Sequence, residues 1–308
     1  MRVIITGGTG LIGRTLADAL ASTGHKVTVL SRSPERATGL PAGVQVERWD
    51  AKTAEGWGHL VDGADAIVNL AGANIAGSGF IPSRWTLKRK QILRDSRVLA
   101  GRAVVEAIRG AKTKPSILIQ ASGVGYYGST GDELATEDTP PGDDFLARLA
   151  HDDWEPSTEA VEEMGVRRAI IRSGAVLSTE DGALPRMLLP YRLLVGGHLG
   201  SGKQWHSWIH PEDETAAIEF LIDHEKARGP FNLVAPEPLT NADFGRVIGH
   251  VMGRPSLIPV PGFAMRLALG EVSDVVLEGQ RAIPKNLLDL GFTFRYPDAE
   301  SALRDLLK

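Results

Sequence analysis

The sequence contains no cysteine, which excludes disulfides, thiolate metal sites and cysteine nucleophiles together. It also lacks a dominant charge: 34 Lys and Arg stand against 38 Asp and Glu, and the formal charge of −4 offers no global attraction to nucleic acid or anionic lipid. No apolar run approaches the roughly 20 residues that cross a bilayer. The N-terminal apolar stretch breaks at Thr6, Gly7 and Gly8 without the charged region and cleavage site of a signal peptide. Nucleic acid and membrane are therefore not expected partners, and the cytoplasm is the expected compartment. No internal repeat or low-complexity segment stands out.

What is present is an alternation of strands and helices. "RVIIT" reads as a short buried strand, "GRTLADALASTG" as an amphipathic helix stopped by Gly24, and "KVTVLSR" as a second strand. "ADAIVNLAG", "PSILIQASG" and "VRRAIIRSG" share one form, an apolar run delivering small or polar residues to a loop. Helices are expected at Leu87 to Arg109 and Phe145 to Met164. This order predicts an α/β fold, a Rossmann-type doubly wound parallel sheet. After Arg172 the rhythm loosens, through "GSGKQWHSWIHPEDE", a helix in "TAAIEFLIDHE" and a strand in "GPFNLV". The expected division is a dinucleotide-binding domain of residues 1–172 and 205–234, with a smaller, discontinuous substrate-side domain of residues 173–204 and 235–308.

Gly7, Gly10 and Gly13 follow the first strand and open the first helix. A pyrophosphate lying against the main chain and on helix N–H groups needs backbone without Cβ at such a turn. The second strand ends in Ser31, Arg32 and Ser33, where an NAD-binding fold presents Asp or Glu to the ribose. A guanidinium between hydroxyls suits a 2′-phosphate instead, with Arg36 as an assistant, so NADP(H) is the expected cofactor. "ERWD" then places Trp49 and Asp50 where an adenine edge would lie, with core packing equally open for Trp49.

"TGGTGLIG", "NLAG" and "ASGVGYYG" together resemble the extended short-chain dehydrogenases/reductases. "SRSPER", "RWTLKRKQILRDSR", "PPGDDFLA", "GSGKQWHSWIH" and "LEGQRAIPKNLLDLGFTFRYPDAESAL" are similar to signatures of an atypical NADP-binding, epimerase-like group with a C-terminal domain of unknown function. The resemblance covers the whole chain. It implies that Gly7, Thr9, Gly10, Leu11, Ile12 and Gly13 line the pyrophosphate and that Ser31 and Arg32 meet the adenosine phosphate. The resemblance likewise implies that Leu70, Ala71 and Gly72 border the adenine ribose and diphosphate, and that nicotinamide lies near Ser122 and the loop Arg172 to Gly174, which includes Ser173. Lys90 and Arg97, seven apart and so two turns along one helix face, are further candidate cofactor contacts.

The family's catalytic set is a Ser or Thr, a Tyr and a Lys, whose ammonium lowers the Tyr pKa for proton transfer beside hydride transfer. Ser122 fits the hydroxyl role, but "DDFLARLAHDDWE" has no tyrosine. With Glu155 matched to the familiar helix glutamate, Ala147 and His151 stand where Tyr and Lys belong. Ser122 with Tyr127 becomes the expected catalytic pair, with Tyr126, His151 or a cation of the "RKQILRDSR" helix, Lys90 or Arg97, as other proton sources. Trp205, His206, Trp208 and His210 suggest an aromatic pocket wall; His206 and His210 lack a third ligand, so no metal is expected. Two functions follow. One is an oxidoreductase or epimerase acting on a small carbonyl or hydroxyl substrate, with a homodimer compatible; the other is a non-catalytic NADP(H) sensor or scaffold.

Overall fold

The computed structural model describes residues 1–77, 79 and 81–308. Its centre is a seven-stranded, all-parallel sheet of β1 (Arg2–Thr6), β2 (Lys26–Ser31), β3 (Gln45–Arg48), β4 (Ala66–Asn69), β5 (Ile117–Gly123), β6 (Arg167–Ser173) and β7 (Gly229–Leu233). The spatial order is β7-β6-β5-β4-β1-β2-β3, with both β2 and β4 paired to β1. The chain order therefore reverses between β1 and β4, and in such sheets ligands bind outside the carboxyl ends at this switch point.

Side-chain alternation along the strands builds two cores. Val3 and Ile5 of β1 and Ile119 of β5 face α1 (Leu11–Ser22) and α5 (Pro211–Asp223), meeting Leu16, Leu20, Ile218 and Leu221. Ile4, Ile67 and Leu118 face the other way, onto Val104 and Ile108 of α2 (Leu87–Gly110) and onto Val161. Val161 belongs to a helical rod that begins as α3 (Phe145–Arg148), widens to π geometry over Leu149–Trp154 and tightens to 3-10 geometry over Glu155–Met164.

A third core, around Leu188, Trp208, Phe244 and Leu303, joins α4 (Leu184–Arg192), α6 (Asn241–Met252) and the C-terminal helix Ala299–Leu306. The late segment also returns to the first half, because Arg281–Ala282 pairs in parallel with Leu134–Ala135. Among the described residues no helix is long and apolar enough to cross a membrane.

Candidate dinucleotide and active site

The glycine loop divides its work among three residues. Gly7 holds φ +67°, a left-handed conformation that favours glycine, and a Cβ there would stand 2.7 Å from Leu70 O. At Gly13 a Cβ would come within 2.5 Å of Gly7 O and Gly8 Cα, so this glycine lets the helix sit on the loop. Gly10 is different. It is exposed, has φ −83°, and a Cβ there would meet only Gly7 O, at 3.3 Å. As the N-cap of α1 it supplies no capping side chain, and the first turn contains no acidic residue. The amides at Leu11, Ile12 and Gly13 lie in that first turn, where the helix itself has no acceptor for them. A positive helix end beside an open glycine fits a phosphate. Thr9, Leu11 and Ile12 are half-buried around this opening.

At the end of β2, Ser31 is buried and its Oγ accepts from Ser33 N–H at 3.1 Å. Arg32 is exposed, and its guanidinium has no partner among the described residues; the nearby Glu35 carboxylate is held by Arg48 at 2.8 Å. Trp49 is buried edge-on against Trp57, 5.8 Å between ring centres, which makes it a core residue. Asp50 is exposed but organises its own turn, accepting from the backbone of Lys52 and Thr53 at 2.7 and 2.8 Å.

Past β4, the Ala71 N–H donates to Thr6 Oγ1 at 3.2 Å, and Gly72 is exposed over Arg97, whose Cζ would lie 3.3 Å from a Cβ at Gly72. Arg97 is buried without a carboxylate partner. Its Nη1 donates to the carbonyls of Leu93 and Ala73, its guanidinium stacks 4.5 Å from Trp154, and its Nε is unbonded. Burial, with Arg89 nearby, pushes its pKa down to about 10. Such a cation beneath Gly72 suits an anionic ligand. Lys90, expected on the same face, does not share this environment: its ammonium pairs with Glu271 at 2.6 Å and lies over the Phe145 ring.

The structure places both members of the expected pair, Ser122 and Tyr127, around Arg172 and Glu155. Both belong to one closed network. Ser122 Oγ donates to Glu155 Oε1 at 2.7 Å, and Arg172 clasps both oxygens of Glu155 at 2.9 and 3.0 Å. Tyr127 donates to Asn232 Oδ1 at 2.6 Å and accepts from Arg172 Nη1 at 3.1 Å. Tyr127 is 3% exposed, and burial pushes its phenol up to about 12 against the pull of Arg172. Its hydroxyl is satisfied and enclosed. Tyr126 lies beneath Arg172, 3.4 Å from Cζ to ring centre, and edge-on to His151. His151 is exposed and paired with Asp152, while Ala147 is fully buried.

Sequence reasoning missed Asn232 and the pairing of Ser173 with Glu214. Ser173 Oγ lies 2.6 Å from Glu214 Oε1. Glu214 is 0% exposed, and burial pushes its pKa up to about 8 despite the Ser173 contact. No signal separates Glu214 from the other acids that open α5.

The aromatic wall also needs correction. Trp208 is buried in the third core against Phe244. Trp205 donates to Asp132 at 3.0 Å and carries Arg281 on its ring. His210 caps α5, accepting from Glu212 N–H, and stacks on Tyr296, whereas His206 packs against Phe244; burial pushes both imidazoles down to about 4. Among the described residues no cluster of three His, Asp or Glu could hold a metal.

A parallel sheet with a glycine loop at its first strand-to-helix turn, and with the carboxyl edge lined by Ser122 and Ser173, defines a dinucleotide-binding protein of the Rossmann class. The comparisons narrow this. Residues 3–233 match the NAD dependent epimerase/dehydratase family, and residues 260–306 match DUF1731, a domain of unknown function. The chain belongs to that epimerase/dehydratase family. It is 41% identical to the epimerase family protein YfhF of Bacillus subtilis over 308 residues, 100% of this chain and 98% of YfhF. Human epimerase family protein SDR39U1, solved with NADPH, is similar at 33% identity and TM-score 0.88, with 99% of each chain covered. A nucleoside-diphosphate sugar epimerase from Corynebacterium glutamicum matches at 34% identity and TM-score 0.77, covering 99% of this chain and 58% of that one.

Proposed function

We propose that the protein binds NADP(H) and acts as an oxidoreductase or epimerase on a small carbonyl or hydroxyl compound, by a proton route other than the Tyr and Lys relay. The observation that carries the cofactor choice is Arg32, an unpartnered guanidinium at the end of β2 whose neighbouring acid is already held by Arg48. A 2′-phosphate gains a charged hydrogen bond there, and no free carboxylate stands ready for a 2′-hydroxyl. The SDR39U1 structure with NADPH supports the same choice. Bound nicotinamide would supply or accept hydride. This chain's part is to hold the pyrophosphate on Gly10 and the α1 amides and the adenosine end on Ser31 and Arg32. Residues 1–172 and 205–234 would form the cofactor side, and residues 173–204 and 235–308 the substrate side.

Titration with NADPH and NADH tests the reading. NADPH is expected to bind more tightly, and Arg32→Ala to remove most of the difference, about 1.5–3 kcal/mol for a hydrogen bond to a charged group. Equal affinities in the native protein would overturn it. The second reading, a non-catalytic NADP(H) sensor, is favoured by the enclosure of Tyr127. NADPH oxidation across a panel of aldehydes, ketones and quinones separates the two, since a sensor binds NADPH and turns over none.

A further inference from the structure

Ser173 and Glu214 stand outside the Glu155 network. Ser173 ends β6, in register with Gly123 of β5 and Leu233 of β7, so it lies on the carboxyl edge of the sheet. Its half-buried side chain reaches the first turn of α5 and stops 2.6 Å from Glu214 Oε1. Glu214 is 0% exposed, and its Oε2 has no hydrogen-bond partner. Among the described residues no charged group pairs with Glu214. The elements packed on α5 include β5, which carries no charged residue, and α1, which carries Arg14 and Asp18. On β6, Arg167 and Arg168 bond to carbonyls and Glu162, and Arg172 is clasped by Glu155. The Ser173 hydroxyl is the one group that eases the burial of Glu214.

An ionised carboxylate with one oxygen empty is heavily penalised in such a place. A neutral carboxyl whose carbonyl oxygen lacks a partner is penalised far less. Ser173 Oγ donates to the ionised Oε1 across this 2.6 Å contact; in the neutral form a proton on Oε1 would lie within the same contact and donate to Ser173 Oγ instead. The Ser173 hydrogen is then released from Glu214 and can be directed to an acceptor at the sheet edge. When the carboxyl ionises, Ser173 must donate back to it, and the outward donor is withdrawn.

We infer that Ser173 and Glu214 form a proton-gated hydrogen-bond donor for the carbonyl oxygen of a nicotinamide carboxamide, offered while Glu214 is neutral and withdrawn when it ionises. The inference rests on the reading that a dinucleotide lies across this edge. Ser173 makes the contact, and Glu214 is a positioning residue.

Calorimetric titration of the full chain with NADP+ and with adenosine 2′,5′-bisphosphate, which lacks the nicotinamide, tests it at pH 7 and pH 9.5. Both values lie above the phosphate titration near pH 6. NADP+ is expected to bind about tenfold more weakly at pH 9.5, the effect of one neutral hydrogen bond, while the bisphosphate loses little. Glu214→Gln keeps a donor toward Ser173 and cannot ionise, so NADP+ should remain tight at both values. Ser173→Ala should be weak at both, with native circular dichroism. An equal drop for both ligands, no drop for NADP+, or a drop that persists in Glu214→Gln would overturn the gate. Binding of the bisphosphate alongside a failed gate leaves the dinucleotide reading standing; binding of neither ligand overturns both.

Discussion

Two alanine substitutions, three residues apart at Gly10 and Gly13 in the same loop, should have opposite effects. In Gly13→Ala the new Cβ would lie 2.5 Å from Gly7 O and Gly8 Cα, both backbone atoms that cannot turn aside. The helix must lift from the loop, an overpacking cost of about 1–3 kcal/mol, partly offset by about 1 kcal/mol of helix propensity. Gly10→Ala meets only Gly7 O, at 3.3 Å, from a backbone conformation open to any residue. Its folding cost should stay within about 0.5 kcal/mol, since reduced freedom of the unfolded chain opposes the poorer N-cap. On the proposed function, however, its methyl would stand where the pyrophosphate lies, and loss of even one charge-assisted contact of about 1.5–3 kcal/mol weakens binding tenfold or more. Urea unfolding and NADPH titration of both variants give the comparison. A Gly10→Ala protein that binds NADPH as the native chain does, or a Gly13→Ala protein of native stability, would refute the division of labour.

Three further outcomes follow from the buried groups. Tyr127→Phe should cost about 1–2 kcal/mol of stability, by stranding Asn232 Oδ1, and leave NADPH affinity unchanged; a large loss of binding would return Tyr127 to the site. Arg172→Met should cost about 3–5 kcal/mol, because Glu155 is left buried without its cation, and thermal unfolding that matches the native chain would contradict this. Burial raises Glu214 from 4.5 to about 8, so the folded chain holds a proton that the unfolded chain has released between those values. Its contribution is complete below pH 4.5 and is lost as pH rises toward 8, at about 1.4 kcal/mol per pH unit relative to Glu214→Gln; parallel stability profiles from pH 5.5 to 7.5 would exclude it.

The strands were legible because buried parallel strands are continuous apolar runs: "RVIIT" is β1 residue for residue, and the helix expected from Leu87 begins there. The glycine spacing was legible because Gly10 and Gly13 pack on Gly7 and Gly8 within the same loop, whereas the approach of Gly7 to Leu70 was not. Tyr127 was not. Its partners Asn232 and Arg172 lie 105 and 45 residues away, so an enclosed phenol and an available one look alike in the sequence. Trp208 and His210 read as pocket residues because aromatic clusters serve cores and sites equally; their burial against Phe244 of α6 and Tyr296 before the C-terminal helix depends on segments that arrive later in the chain. Glu214 follows Glu212 and Asp213 in the first turn of α5, where acids complement a helix dipole. Only the rotation of α5 against the sheet turns Glu214 inward.

That rotation gives the carboxyl edge two chemically distinct faces. Ser122 and Arg172 are register partners on β5 and β6, and both reach Glu155 on the helical rod. Ser173, one residue further, points across the sheet to α5 by the alternation of a strand. The rod face is an ion pair with its phenol and hydroxyls already bonded, and Tyr127 at about 12 keeps its proton throughout the neutral range. On the α5 face, burial pushes the Glu214 carboxyl up to about 8, within one or two units of neutrality. A single step along β6 thus separates a fixed scaffold from a titrating group. The burial of Glu214 therefore predicts that pH dependence of ligand binding at this edge follows Glu214 rather than either tyrosine of "GYYG".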